Sequence, residues 1–337
     1  MAGKSKKKTT KNQNQSKNTM IYVILIVILI IVALFAGRQE QAQQQEQEQQ
    51  NGLQIFDGDE EIPEDYNFTI SDAEFQVHVI DVGQGDSILI MADGKAMLID
   101  AAESKSANKI ISYLQAQNVT ELEYAATTHL HADHIGGYPK VMAAVKPKTV
   151  IESVCPESIL PTTQVYEKYL KAIEASGAKY QTMKTGDTFT LGNANITVLA
   201  PISEHASSLN NTSLVLRVQY DDVVCIFTGD MELPEEKTLV ASSVEMPENF
   251  LKADFLKAGH HGSDTSSGEA FLAEVQPKYV GISCGVDNKY GHPAQSTLEH
   301  LRAYTDEVHI TAEEGDVVFL YDADTKQEKI VTSKNEE

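Results

Sequence analysis

The sequence has no tryptophan and only three cysteines, which lie far apart at positions 155, 225 and 284. Their odd number and the lack of any CxxC pair argue against a disulfide framework and against a zinc ribbon. Cys225 and Cys284 lie within apolar, strand-like segments, which is typical of buried free thiols. We therefore expect the fold to rest on its hydrophobic core and not on covalent cross-links.

Basic residues are scarce outside the first segment of the chain. Six of the 27 basic residues are lysines that precede residue 20, and the remaining 21 face 49 acidic residues, a balance of −28. Such a surface repels polyanions over a Debye length unless local charge reverses the field. This composition disfavours nucleic-acid binding through basic clusters. The sequence also lacks the glycine-rich phosphate loops of P-loop and Rossmann domains.

Residues 20–36 read MIYVILIVILIIVALFA, a run of seventeen uncharged residues. As a helix this run would span roughly 25 Å, enough for a short bilayer crossing. No convincing small-x-small cleavage site follows it, so an uncleaved anchor is favoured over a signal peptide. The preceding lysines place a basic tail, residues 1–19, in the cytoplasm and the bulk of the chain on the extracellular side. We therefore expect a single-pass protein of the cell membrane.

Glutamine and glutamate dominate the start of residues 37–70, which we predict to be a flexible linker because apolar periodicity is missing. Residues 71–325 alternate between strand-like and helix-like patterns, which predicts a layered α/β domain, and residues 326–337 form a polar tail. The predicted strands are residues 75–80, 87–91, 96–100, 124–128, 196–200, 213–220, 223–228, 255–258, 279–283 and 317–321. The predicted helices are residues 105–117, 162–176, 268–275 and 295–303.

The most informative segment is THLHADHIGG, residues 128–137, which follows an apolar strand. His129 and His131 lie on one side of an extended segment, whereas Asp133 and His134 come after its bend. This spacing lets one loop present two imidazoles to one cation, and a carboxylate with an imidazole to a second cation about 3.5–4 Å away. The segment therefore predicts a metal site.

The motif HxHxDH is the signature of the metallo-β-lactamase superfamily, and the chain resembles that family over most of residues 75–322. The resemblance implies an αββα sandwich that holds two divalent metal ions, zinc or manganese. It implies that Asp100, in MLIDAA, supports the histidine loop and that Asp230, in IFTGDME, bridges both metals. The segment LKAGHHGS matches the later ligand strand, from which we expect His261 to be the ligand of the pair and the adjacent His260 to contact the substrate phosphate or to support a ligand.

A narrower resemblance follows from five segments taken together, DVGQGDS, NNTSLVL, FTGDME, KAGHHGS and YGHP. In combination they are similar to the external domain of ComEC-type DNA-uptake proteins, and also to secreted phosphorylcholine esterases. Many superfamily members have a third histidine on the first metal, where this chain has Asn210 to Ser213. His205 is the nearest histidine, but it lies in a serine-rich loop and is expected to be solvated. The first site is therefore expected to be held by His129, His131, Asp230 and water. Imidazole and carboxylate ligands suit both zinc and manganese, which leaves the metal open.

Several further residues are candidates for catalysis or for contacts around the metals. His292, in YGHP, is predicted to protonate the leaving oxygen, with capping of its own loop as the alternative. Glu232 is predicted to orient water or contact the substrate. Asn211, Ser213 and Ser263 can donate hydrogen bonds to phosphate oxygens, or can instead cap backbone groups.

The resemblance implies an extracellular, metal-dependent hydrolase, above all a phosphodiesterase or nuclease of ComEC-like type that acts through a metal-bridging hydroxide. One alternative is an esterase acting on a small or cell-wall phosphodiester such as phosphorylcholine. Another is a non-enzymatic, metal-stabilised binding domain in DNA uptake. The partners implied are the membrane, a phosphodiester substrate such as single-stranded DNA or a cell-wall polymer, and a separate DNA-uptake channel.

Overall fold

The computed structural model describes residues 68, 70, 73–203 and 206–334. The predicted basic tail, the predicted membrane anchor, most of the predicted linker and His205 lie outside these residues. Within the described part of the chain, no helix has the length and apolar character needed to cross a bilayer.

The described residues form two β-sheets and eight α-helices. The strands are β1 (Phe75–Val79), β2 (Ile88–Ala92), β3 (Lys95–Ile99), β4 (Glu121–Thr127), β5 (Lys146–Ser153), β6 (Lys179–Met183), β7 (Thr188–Leu191), β8 (Ala194–Ala200), β9 (Val215–Tyr220), β10 (Val223–Phe227), β11 (Phe255–Lys257), β12 (Tyr279–Ile282), β13 (Val308–Ile310), β14 (Val317–Asp322) and β15 (Gln327–Thr332). The helices are α1 (Ala107–Ala116), α2 (Ala132–Ile135), α3 (Tyr138–Ala144), α4 (Gln164–Ser176), α5 (Leu233–Ser242), α6 (Glu269–Val275), α7 (Gln295–Arg302) and α8 (Thr311–Glu314).

Each sheet has an antiparallel part and a parallel part. The first sheet has the order β15-β14-β1-β2-β3-β4-β5-β6, and its strands become parallel from β3 onwards. The second sheet has the order β13-β12-β11-β10-β9-β8-β7, and strands β10 to β13 are parallel. Helices connect the parallel strands, as the geometry of a parallel crossover requires.

The two sheets face each other across a shared hydrophobic core. Phe75 and Phe319 of the first sheet lie in one buried cluster with Phe227 and Phe255 of the second. The Phe255 ring lies 5.5 Å from the Phe319 ring, measured between centroids. Residues at alternate positions along β1 face the other way, where the His78 imidazole contacts the Tyr113 hydroxyl of α1 at 2.8 Å.

Helices cover the outer face of each sheet. A second buried cluster joins α1, α3 and α4 to the first sheet, and a third joins α5, α6 and α7 to the second sheet. The layers therefore run helix, sheet, sheet, helix, which confirms the αββα sandwich expected from the sequence.

The folded domain extends beyond both predicted boundaries. Residues 327–332, assigned from the sequence to a polar tail, form β15 and pair antiparallel with β14, so that prediction is wrong. At the other end, Phe68 of the predicted linker is buried in a cluster with Val318 and Leu320.

Candidate metal centre

Loops that follow parallel strands bring the predicted ligands to one edge of the sandwich. His129 and His131 follow β4, Asp230 follows β10, and His261 follows β11. Because β10 and β11 are adjacent and parallel, their carboxyl ends meet. Gly229, with φ of +52°, allows the turn before Asp230, and a Cβ there would lie 2.8 Å from that of Thr128.

The first cluster of candidate ligands contains His129, His131 and Asp230, whose donor atoms lie within 4.8 Å of one another. The Nε2 atom of His129 lies 2.8 Å from Nδ1 of His131 and 3.6 Å from Oδ2 of Asp230. The His129 and Asp230 side chains are buried, so a cation held here would be largely shielded from solvent.

The second cluster contains Asp133, His134 and His261, with donor atoms again within 4.8 Å of one another. The His261 Nε2 atom lies 3.5 Å from Oδ2 of Asp133. Asp230 reaches this cluster as well, since its Oδ2 lies 3.3 Å from His134 Nε2 and its Oδ1 lies 3.7 Å from His261 Nε2. One carboxylate therefore lies between two groups of ligands, at the position that the family resemblance implies for Asp230.

Three buried atoms of these clusters have no hydrogen-bond partner among the described residues. They are Nε2 of His134, Oδ1 of Asp230 and Nε2 of His261. A buried polar atom without a partner costs free energy, and such atoms in a native structure often belong to a site for an ion. The donor set of imidazoles and carboxylates fits divalent zinc or manganese.

The charges within the centre depend on one another. Burial lowers the pKa of His129, and the neighbouring His134 lowers it further. Burial also lowers the pKa of His261, but the Asp230 and Asp86 carboxylates outweigh this effect and raise that pKa to about 10. Metal ligation needs a neutral imidazole, so cation binding here has to release protons.

Asp100 supports the histidine loop from behind. Its Oδ1 accepts a hydrogen bond from the Thr128 backbone N–H at 2.8 Å, and its Oδ2 accepts one from the Thr128 hydroxyl at 2.6 Å. Oδ2 also lies 2.7 Å from Nδ1 of His134. This contact fixes the ring of His134 so that its Nε2 atom points into the second cluster. A carboxylate that contacts one ring nitrogen of a histidine commonly orients the other nitrogen towards a metal in this way.

Sequence analysis overlooked a fully buried ion pair beside the centre, formed by Asp86 and Lys257. The Lys257 Nζ atom lies 2.9 Å from Oδ2 of Asp86 and donates to the carbonyl of Ala258 at 3.0 Å. The other carboxylate oxygen, Oδ1, lies 3.3 Å from Nδ1 of His261. Burial would raise the pKa of Asp86, but Lys257 and His261 hold it below its ordinary value. Both residues lie within motifs already singled out, DVGQGDS and LKAGHHGS, which was the available signal.

The side chains of the two adjacent histidines after β11 lie in different environments, one buried and one partly exposed. Both have left-handed backbone angles, with φ of 47° at His260 and 54° at His261. The His261 side chain is buried in the second cluster, whereas the partly exposed His260 lies at the rim. Nδ1 of His260 lies 3.1 Å from the Thr265 hydroxyl, and its Nε2 lies 3.7 Å from Oδ2 of Asp230.

His292 lies near this rim, on the loop after β12. The centroid of its ring lies 5.6 Å from that of His260 and 6.4 Å from that of His261. Its Nδ1 atom has no hydrogen-bond partner among the described residues, so its side chain does not cap the loop through that atom. Burial lowers the pKa of His292, and His261 and His260 lower it further.

The four remaining predicted residues bond mainly to the protein itself. The Asn211 amide donates to Oε2 of Glu232 at 3.0 Å, and the Glu232 backbone N–H donates back to Asn211 at 3.2 Å. The Ser213 hydroxyl accepts the Asp230 backbone N–H at 3.0 Å, and the Ser263 hydroxyl accepts the Thr265 backbone N–H at 3.2 Å. Both serines therefore cap backbone groups, the alternative that the sequence left open.

Comparison with known proteins agrees with this arrangement. The family described as "Metallo-beta-lactamase superfamily" matches residues 80–285. ComE operon protein 3 of Bacillus subtilis (strain 168) is 32% identical over 267 residues, which cover 74% of this chain and 33% of that protein. Competence protein ComA of Neisseria gonorrhoeae is 28% identical, over 70% of this chain and 30% of that protein.

The chain spans about a third of the length of these curated relatives. Among solved structures, CmlA, a diiron beta-hydroxylase from Streptomyces venezuelae, superposes with a TM-score of 0.52 at 10% identity, over 78% of this chain and 55% of that one. At this identity the likeness concerns the fold alone. The motifs, the sandwich and the family match together show that the chain belongs to the metallo-beta-lactamase superfamily, with homologues in its ComEC-type competence branch.

Proposed function

We propose that this chain is a metal-dependent phosphodiesterase whose centre holds two divalent cations. The observation that carries the proposal is the position of Asp230 between the two ligand clusters, with its Oδ1 atom and the Nε2 atoms of His134 and His261 buried without hydrogen-bond partners among the described residues. Two cations, zinc or manganese, would supply the Lewis acidity and the acidified water that hydrolysis needs. His129 and His131 would hold one cation, and Asp133, His134 and His261 the other.

The surrounding residues would orient these ligands and bind the substrate. Asp100 keeps Nε2 of His134 directed into the centre, and the Ser283 carbonyl, 3.1 Å from Nδ1, does the same for His261. His260 is partly exposed at the rim, where it can donate a hydrogen bond to a substrate phosphate. His292 is placed to give a proton to a leaving group, because its ring neighbours that of His260 at the rim of the centre.

The substrate we favour is single-stranded nucleic acid, because one of the relatives is named as a competence protein. A phosphodiester suits a two-cation centre, in which both non-bridging and leaving oxygens need charge neutralisation. A second candidate is a smaller phosphodiester such as a phosphorylcholine ester. The net charge of −22 favours this candidate, since only the site itself then has to attract the phosphate.

Hydrolysis of four compounds tests the proposal. Bis-p-nitrophenyl phosphate reports phosphodiesterase activity, a phosphorylcholine ester and single-stranded DNA separate the two substrate classes, and nitrocefin reports β-lactam hydrolysis. We expect activity on bis-p-nitrophenyl phosphate and DNA that disappears on chelation and returns with zinc or manganese. Metal loading without hydrolysis of any phosphodiester would favour a binding domain over an enzyme.

We further propose that residues 20–36 anchor the chain and that the catalytic domain is extracellular, where DNA would pass to a separate uptake channel. The support is the apolar run and the six lysines before it. Lys168→Cys in a Cys155→Ser background gives an exposed thiol on α4 without the half-buried native one. An impermeant maleimide should label this thiol in intact cells, and protection until lysis would reverse the topology.

A further inference from the structure

The loop of residues 285–293, called here the rim loop, is held in one shape by the side chain of Asn288. The Asn288 amide donates to the carbonyls of Gly285 at 2.9 Å and His292 at 2.6 Å. Its oxygen accepts the backbone N–H groups of Tyr290 at 3.2 Å and His292 at 2.9 Å. These four hydrogen bonds organise the loop before any ligand binds, which lowers the entropic cost of recognition.

Tyr290 presents an aromatic ring to solvent at the tip of this loop. The residue is 57% exposed, and its ring stacks on that of His292 with centroids 5.6 Å apart and planes at 23°. His292 in turn neighbours His260 at the metal centre. The side chain of His292 therefore lies between the exposed ring of Tyr290 and His260 at the rim of that centre.

The surroundings of Tyr290 combine a cation with apolar surface. The Lys289 ammonium lies 5.1 Å from the centroid of the Tyr290 ring, and Val286 is 68% exposed on the same loop. Val286 also lines an open recess of about 400 Å³, whose other lining residues include the apolar Ile310 and Ala312 and the acidic Asp287 and Glu313. That volume is within the range of small-ligand sites.

We propose that the rim loop is a base-stacking site, in which Tyr290 stacks on a nucleobase of single-stranded nucleic acid next to the scissile phosphodiester. The inference rests on the proposed phosphodiesterase function and names its substrate class. Proteins bind single strands by combining aromatic stacking with cations that meet the backbone, and Lys289 supplies such a cation. The same ammonium repels a choline headgroup, for which an aromatic site needs electron-rich faces free of positive charge.

The proposal explains how an acidic protein could bind nucleic acid. Stacking is worth about 1–3 kcal/mol per base, which corresponds to a change in affinity of about 5- to 150-fold. Sequence analysis disfavoured nucleic acid because basic residues are not clustered beyond the first segment. A stacking contact needs no such cluster, since every base has an aromatic face.

Binding of two labelled oligonucleotides to the metal-loaded full chain tests the proposal. One is an oligothymidylate, and the other is an abasic strand of equal length, both with phosphorothioate linkages that slow hydrolysis. Fluorescence anisotropy gives the dissociation constants for wild type, Tyr290→Ala and Tyr290→Phe. Tyr304→Ala is the matched control, because Tyr304 is also an exposed tyrosine but lies after α7.

We expect the wild type to bind oligothymidylate at least about 5-fold more tightly than the abasic strand. Tyr290→Ala should lose most of that preference, whereas Tyr290→Phe and Tyr304→Ala should keep it. Equal affinity of the wild type for both strands, or a full preference in Tyr290→Ala, would overturn the proposal. The proposal would also be overturned if both strands bound equally well and a phosphorylcholine ester displaced them from the wild type but not from Tyr290→Ala.

Hydrolysis of bis-p-nitrophenyl phosphate by the wild type distinguishes failure of the stacking site from failure of the proposed phosphodiesterase activity. If that hydrolysis occurs and the base preference is missing, the stacking site fails and the phosphodiesterase stands. If the base preference depends on Tyr290 and no phosphodiester is cleaved, the rim loop still recognises bases and the catalytic proposal fails.

Discussion

At the scale of single residues, Asp230 connects the two ligand clusters, and its position depends on small neighbours. The Ser213 hydroxyl accepts its backbone N–H, and Gly229 supplies the left-handed turn before it. Its Oδ2 faces His129 of the first cluster and its Oδ1 faces His261 of the second, which is why removal of this one side chain should disturb both halves of the centre.

The buried pair of Asp86 and Lys257 gives a residue-scale prediction. Asp86→Ala or Lys257→Met should each lower the free energy of unfolding by about 3–5 kcal/mol, because each leaves a buried charge without its main partner. The double variant should recover part of that loss. Denaturant unfolding of the metal-free protein measures all three.

The exposed pair of Glu167 and Lys171 serves as the control for this cycle. It is an i, i+4 pair on α4, and Lys171→Ala should change stability by no more than about 0.5 kcal/mol. Strictly additive losses at positions 86 and 257 would show that the two buried charges do not stabilise each other.

His292 can be tested as a proton donor with two substrates. His292→Ala should lower kcat by about 10²–10⁴ for a phosphodiester with a poor leaving group, because such a group must be protonated as it departs. With p-nitrophenolate as the leaving group the loss should be much smaller. Equal losses on both substrates, with the metal content unchanged, would exclude His292 as the acid.

At the scale of elements, residue patterns identified the strands that carry the centre but not those at the edges. Strands β10 and β11, which lead to Asp230 and His261, are buried throughout, and each was predicted to within one residue. Strands β6 and β15 lie at the two ends of the first sheet and are mostly polar, so hydrophobic periodicity could not reveal them.

The site residues that could not be predicted from the sequence were missed for a similar physical reason. The HxHxDH spacing is local, and so the sequence alone brought His129, His131, Asp133 and His134 together. The pairing of Asp86 with Lys257 joins residues 171 positions apart, and a lysine at the end of a short strand resembles any solvent-exposed strand end. Only the packing of the two sheets shows that both are buried.

The N-terminus of helix α6 has no capping side chain of its own and depends on a glutamate from helix α5. Glu236 of α5 accepts the backbone N–H groups of Ser267 and Gly268 at 2.5 and 2.9 Å, and Gly268 makes no side-chain cap. Glu236→Ala should cost about 1–3 kcal/mol in unfolding free energy because buried donors lose their acceptor. The exposed Glu245 provides the control variant, Glu245→Ala.

The same residue predicts a pH dependence. Burial raises the pKa of Glu236 to about 7, although its two backbone donors lower it. The folded state therefore holds a proton that the unfolded chain releases near its ordinary pKa, so stability should fall as the pH rises from about 4.5 to 7. Thermal unfolding across that range should show a smaller fall in Glu236→Ala, and an unchanged profile would contradict the assignment.

At the scale of the whole molecule, the main electrostatic property is an excess of acidic residues, 49 against 27 basic ones. The net charge of −22 repels a polyanion, so added salt should screen this repulsion. We expect kcat/KM for single-stranded DNA to rise between about 20 and 150 mM salt, in contrast to proteins that bind DNA through basic clusters. Bis-p-nitrophenyl phosphate, with one charge, should respond less, and a steep fall for DNA would point to an unrecognised basic surface.

The central claim is that Asp230 joins two cation sites, and metal stoichiometry tests it most directly. The metal-depleted wild type and Asp230→Ala are titrated with zinc or manganese, bound metal is counted by mass spectrometry, and thermal stability is followed. The account predicts two ions per wild-type chain, a rise in melting temperature on loading, and loss of both in Asp230→Ala. Full loading of Asp230→Ala with two ions, or a wild type that binds none, would contradict it.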